Sequence, residues 1–183
     1  MKYKLAGFIL FASSCSAIAQ DSSKMTALGF EIGKPLDLPV CQYTTGTKSV
    51  GIQQRTCVEP ADERLQNHTR VHFGLKEIPP LVKGLSMTVD VVDDKLEALY
   101  FATPGLNGKE RTLRIFTEKY GTPTTLTRES LQSADGAKHE TFTAVWDLPT
   151  LYVEYTPTSG NVNEGSARIE TQRARQARAP ARP

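Results

Sequence analysis

The chain has 183 residues and three cysteines, with 22 Lys and Arg set against 20 Asp and Glu. That length holds one domain with a proper core and is too short to expect two. So even a charge balance predicts no nucleic-acid partner, and no apolar run approaches the ~20 residues that span a bilayer.

The first segment reads as an export signal. Lys2 and Lys4 form a basic start, Leu5 to Ala12 an apolar stretch, and Ala17-Ile18-Ala19 a small-x-small cleavage site, placing the signal peptide at 1–19. The reading that would lipidate Cys15 ranks below simple cleavage, because Ala12-Ser13-Ser14 lacks the usual large aliphatic residue. The expected location is the periplasm or the exterior. Losing Lys2 and Lys4 takes the formal charge from +2 to 0 and leaves Cys41 and Cys57 as the only thiols. An even pair in an exported domain predicts a disulfide.

Residues 20–170 are expected to form a single α+β domain. The last segment, 171–183, carries Arg173, Arg175, Arg178 and Arg182 and no acid, which leaves 20–170 with sixteen basic and twenty acidic residues. Lacking large apolar side chains, this segment reads as a frayed helix end or a disordered tail. Its charge fits contact with anionic surfaces.

In chain order, strands are expected at Val50 to Val58 and Thr69 to Leu75. A hairpin follows, Leu85 to Val91 and Leu96 to Tyr100, around a two-residue Asp93-Asp94 turn. That register sets Val91 against Leu96, Val89 against Ala98 and Met87 against Tyr100. It also sets Asp90 opposite Glu97. Asn107 and Glu110 have the spacing of a capping box for a helix whose stripe is Leu113, Phe116 and Tyr120. Gly121 and Pro123 end it. Strands then run from Thr124 to Gln132, His139 to Asp147, Leu151 to Thr156 and Ser166 to Thr171. Pairing Trp146 with Leu151 lines up Phe142, Ala144, Trp146, Val153 and Tyr155 on one face. Thr143, Val145, Tyr152 and Glu154 fall on the other. The predicted architecture is an antiparallel β-sheet with one well-defined amphipathic helix packed on one face, closed by one disulfide.

Two stretches carry a resemblance. Phe30-Glu31-Ile32-Gly33-Lys34-Pro35-Leu36-Asp37-Leu38-Pro39-Val40-Cys41 with Cys57, and Glu118-Lys119-Tyr120-Gly121-Thr122-Pro123 with Trp146, resemble a group of uncharacterised exported bacterial proteins. The order helix, Gly-x-Pro, strands, Trp also resembles the repeat unit of β-lactamase inhibitor proteins and of the small outer-membrane-assembly lipoproteins. The paired helices of that repeat are not evident here. The resemblance implies an exported binding module rather than an enzyme and gives no residue a role.

No catalytic motif and no cofactor is read from the residues. His68 and His72, four apart, fall in an expected strand without the His-Glu-x-x-His pattern, so no metal site is predicted. Gly46-Thr47-Lys48-Ser49 has Cys41 where a phosphate-binding loop begins with glycine, and it is rejected. The apposed Asp90 and Glu97 would repel unless Lys95, a cation or a raised pKa offset them. Tyr152, Phe101 and Val145 on the second face are half-exposed candidate binding residues if that face is open, and core if the N-terminal segment covers it. The expected function is therefore an exported, non-enzymatic binding protein for a protein or envelope component, an inhibitor or immunity protein being the sharper form. The alternatives are a small envelope hydrolase using Asp90 and Glu97, and a structural envelope protein tethered by its arginine tail.

Overall fold

The computed structural model describes residues 25–42, 51, 53–60, 67–132 and 136–178. The signal peptide, the Gly46–Ser49 loop and the last five residues lie outside these. A short hairpin pairs β1 (Thr26–Ala27) with β2 (Phe30–Glu31). The main body is an eight-stranded sheet. Its strands are β3 (Cys57–Val58), β4 (His68–His72), β5 (Ser86–Val92), β6 (Lys95–Pro104), β7 (Thr125–Gln132), β8 (Lys138–Asp147), β9 (Leu151–Asn161) and β10 (Glu164–Thr171). The spatial order is β3-β4-β5-β6-β10-β9-β8-β7, with every neighbouring pair antiparallel. Two meanders are thus joined edge to edge at β6 and β10.

The link from β6 to the far edge at β7 is helix α1 (Lys109–Tyr120). It packs where the stripe predicts: Phe116 and Tyr120 are buried, Leu113 partly so. The Phe116 ring lies 5.6 Å from both Trp146 of β8 and Tyr155 of β9. Trp146 Nε1 donates to the Gly121 carbonyl at 2.6 Å, tying the helix end to the sheet. Gly121 takes φ 88°, a backbone that a side chain resists. The start differs from expectation. A 3-10 turn, Leu106–Gly108, precedes α1, and the cap is Gly108 rather than Asn107.

Beside α1, the N-terminal segment completes the same layer. Ala27 and Ile32 join the buried cluster that holds Phe116, Trp146, Val89 and Leu99. Gly33 and Lys34 exchange backbone hydrogen bonds with Leu96. Cys41 and Cys57 form the disulfide. Closing a loop of about 15 residues restricts the unfolded chain by roughly 3 kcal/mol. Only Cys57–Val58 of the expected Val50–Val58 strand is extended among the described residues.

The Asp93-Asp94 turn has two residues, both at positive φ (51° and 60°), and Val92 pairs with Lys95. Twin left-handed positions match the twist of a tight hairpin, and Asp tolerates them. Val91 pairs with Leu96 as predicted, but β6 then carries one extra residue at Glu97. Beyond this bulge the partners become Asp90–Ala98, Val89–Leu99 and Thr88–Tyr100. One added residue exchanges the faces of everything after it. Phe101, expected half-exposed, is buried in the core, and Tyr100, expected in the core row, stands half-buried on the opposite face. In the β8–β9 hairpin Trp146 pairs with Val153 and Ala144 with Tyr155. That is a slip of two from the expected register, so every residue keeps its face.

Of the two readings of the final segment, a frayed helix end or a disordered tail, residues 172–178 take the helical one and form α2 (Gln172–Arg178). Thr171 caps it, its Oγ1 accepting from the Ala174 amide at 3.0 Å. The reason lies in the partners its arginines find on the sheet.

Candidate functional site

One face of the sheet is sealed by α1 and the N-terminal segment. The other carries side chains in cross-strand rows. The first row runs His68, Asp90, Ala98, Glu170, Tyr152, Asp147. The second runs Arg70, Thr88, Tyr100, Arg168, Glu154, Val145, Thr125. A third holds hydroxyls: Ser166 pairs with Thr156, whose Oγ1 lies 3.3 Å from that of Thr143. Tyr152 and Val145 therefore share this open face, and Phe101 does not.

The first two rows and α2 are bound together by charge. Tyr152 donates to Glu154 Oε2 at 2.6 Å, and Arg168 reaches the same oxygen at 3.0 Å. Burial, then the Glu154 hydrogen bond, raises the Tyr152 pKa. Glu170 is fully buried and receives Arg178 through two donors, at 2.7 and 3.3 Å. A bidentate guanidinium is the partner that a buried carboxylate requires. The Arg175 guanidinium lies 3.9 Å from the Tyr152 ring centroid and donates to Asp147 at 2.8 Å. That hydrogen bond, followed by one from Gln172, holds the Asp147 carboxyl below its ordinary range. Arg168 approaches the same ring at 5.5 Å, so Tyr152 sits under two cations.

Asp90 and Glu97 do not form a carboxylate pair. The bulge separates them, and each has its own partners. Asp90 accepts from Tyr100 at 3.0 Å and is bound by His68 Nδ1, while Glu97 accepts from Thr171 and faces Arg173 at 3.8 Å. Burial, then the Asp90 charge, pushes the Tyr100 hydroxyl pKa well up. His72 pairs with Glu59 at 2.6 Å, so the two histidines four apart serve different carboxylates. Among the described residues no three His, Cys, Asp or Glu side chains gather as metal ligands would. No helix among them is long and apolar enough to cross a membrane.

The open face also has relief. A depression of about 370 Å³ lies over β6, β10 and β9, lined by Tyr100, Ala102, Glu154, Glu164, Ser166 and Arg168 among others. Gly165 at its end has no room for a side chain: a Cβ there would meet the Thr156 carbonyl oxygen at 2.5 Å. Sequence reasoning missed Tyr100, Arg168 and Glu170 as open-face groups. The alternation of β10 placed the last two on one face; their partner strand became readable only once the Glu97 bulge was known. Compared with protein families, curated proteins and solved structures, the chain matches none.

Proposed function

We propose that this is an exported, non-enzymatic binding protein that engages a protein or envelope component through the open face of its sheet, in the manner of an inhibitor or immunity protein. The observation that carries this reading is the asymmetry of the two faces. Aromatic and apolar side chains fill one, while the other presents Tyr100, Arg168, Glu154 and Glu164 around a shallow depression. Tyrosine and arginine are the residues that most often anchor protein interfaces, through large contact area and directional donors. The Arg168 guanidinium is fixed in place before any partner arrives, its Nη2 donating to Glu154 Oε2 at 3.0 Å and its buried Nε lying 3.6 Å from Glu170 Oε1. The resemblance to exported binding modules points the same way, and the residue pattern of 1–19 supports secretion.

Two measurements test it. Native protein recovered from the envelope fraction is expected to begin at Gln20 with Cys41 and Cys57 bonded; an intact N-terminus with both thiols alkylatable defeats the export half. For the binding half, Arg168→Ala and Tyr100→Ala are expected to abolish capture of a partner that wild type retains. Arg114→Ala, on the exposed side of α1, is expected to leave capture intact. Equal capture by all four chains defeats the open face as the binding surface.

A further inference from the structure

The sheet region has an acidic excess, and the C-terminal segment that folds onto it is purely basic. Helix α2 is only seven residues long, and every one of its side chains is partly or fully exposed. A helix that short is unstable alone in water, and α2 buries no apolar stripe to compensate. Its attachments are polar. Arg173 reaches Asp93 at 2.5 Å, Arg175 takes Asp147 and the face of Tyr152, Arg178 takes Glu170, and Gln172 donates to Asp147 at 2.7 Å. The surface beneath is the unusual part. Glu170 and Glu97 are buried carboxylates, and Tyr152 is buried between guanidinium groups. Withdrawing α2 uncovers two acids and an aromatic ring spaced to receive arginine side chains. Those contacts are electrostatic and partly solvated, so they weaken with salt far more than the apolar packing of α1.

We propose that α2 is a displaceable strap, and that the acidic, tyrosine-bearing surface it covers is a binding site for an arginine-rich segment of a partner protein, the chain's own C-terminus being the resident occupant. This rests on the open face being the binding surface and names the chemistry it takes. Arginine rather than lysine is specified because the site offers a carboxylate satisfied by two parallel donors and a ring satisfied by a planar cation. Removing the occupant in cis exposes the site to the same chemistry in trans.

The test uses the full chain, a chain ending at Thr171, and a full-length Arg173→Gln/Arg175→Gln/Arg178→Gln variant. The probe is a synthetic peptide of residues 171–183, with a second in which every arginine is lysine. Calorimetry at low salt is expected to show peptide binding to the truncated and triply substituted chains at least tenfold tighter than to the full chain. It is also expected to show several-fold weaker binding of the lysine peptide and loss of binding at molar salt. Equal affinity for the full and shortened chains overturns the strap. Equal affinity for the two peptides overturns the guanidinium site. Should the truncated chain fail to fold, the triple variant decides alone, and no binding to it overturns the proposal. Partner capture lost in Arg168→Ala while peptide binding fails leaves the open-face reading standing and sinks only this inference.

Discussion

Helices α1 and α2 grip opposite faces of one sheet by opposite kinds of force. Helix α1 is twelve residues long and sets Phe116 and Tyr120 into a buried cluster with Trp146 and Tyr155. Helix α2 is held by arginines on Asp93, Asp147, Tyr152 and Glu170. Apolar burial is not screened by salt, scales with area and draws on the whole cluster. Ion pairs at a half-exposed surface are individually weak and screened. The fold therefore has a fixed side and a responsive side, and the depression and polar rows that a partner would meet lie on the responsive one.

The largest effect that tests this contrast is on the fixed side. Phe116→Ala should cost about 3–5 kcal/mol in urea denaturation, because it empties space shared by α1, β8 and β9. Replacing Cys41 and Cys57 together by serine should cost roughly 3 kcal/mol through the freed loop. Its signature is a lower midpoint under oxidising conditions and none when wild type is measured fully reduced.

On the responsive side the effects shrink. Glu170→Gln leaves Arg178 and Arg168 facing a neutral amide and should cost about 1–3 kcal/mol; a change below a few tenths would mean that the buried carboxylate is not what anchors α2. Arg175→Gln should change global stability by no more than about 1 kcal/mol, yet raise amide exchange throughout 172–178. The smallest global effect is that of pH. The Asp147 carboxyl is held below its ordinary value by Arg175 and Gln172. Its contribution is thus complete above the unfolded value of about 3.9 and is lost as pH falls through the depressed folded value. Acid titration followed by exchange should release α2 while the Trp146 fluorescence of the α1 side stays unchanged. Simultaneous loss of both signals would dissolve the distinction between the two sides.

Much of the fixed side was legible because its signals are local and redundant. Phe116, Tyr120, Gly121 and Pro123 lie in one turn-and-stop pattern, and period-two alternation placed Ala144, Trp146, Val153 and Tyr155 correctly even though the hairpin slipped by two. An even slip preserves faces. An odd one does not, and the single extra residue at Glu97 sent Phe101 inward, brought Tyr100 outward and parted Glu97 from Asp90. Of the expected half-exposed set, Val145 and Tyr152 lie on the open face, Tyr152 buried there beneath Arg175 of α2, and Phe101 lies in the core.

By itself the sequence determined an antiparallel sheet with an aromatic-faced helix and a Cys41–Cys57 bridge, because periodicity, capping glycine and cysteine count act over short distances along the chain. Only the tertiary structure decided which residues share the open face and that 172–178 fold. A bulge carries no compositional mark, and a seven-residue segment of good helix formers is too short to hold a helix until Asp93, Asp147, Tyr152 and Glu170, distant in sequence, are brought beneath it.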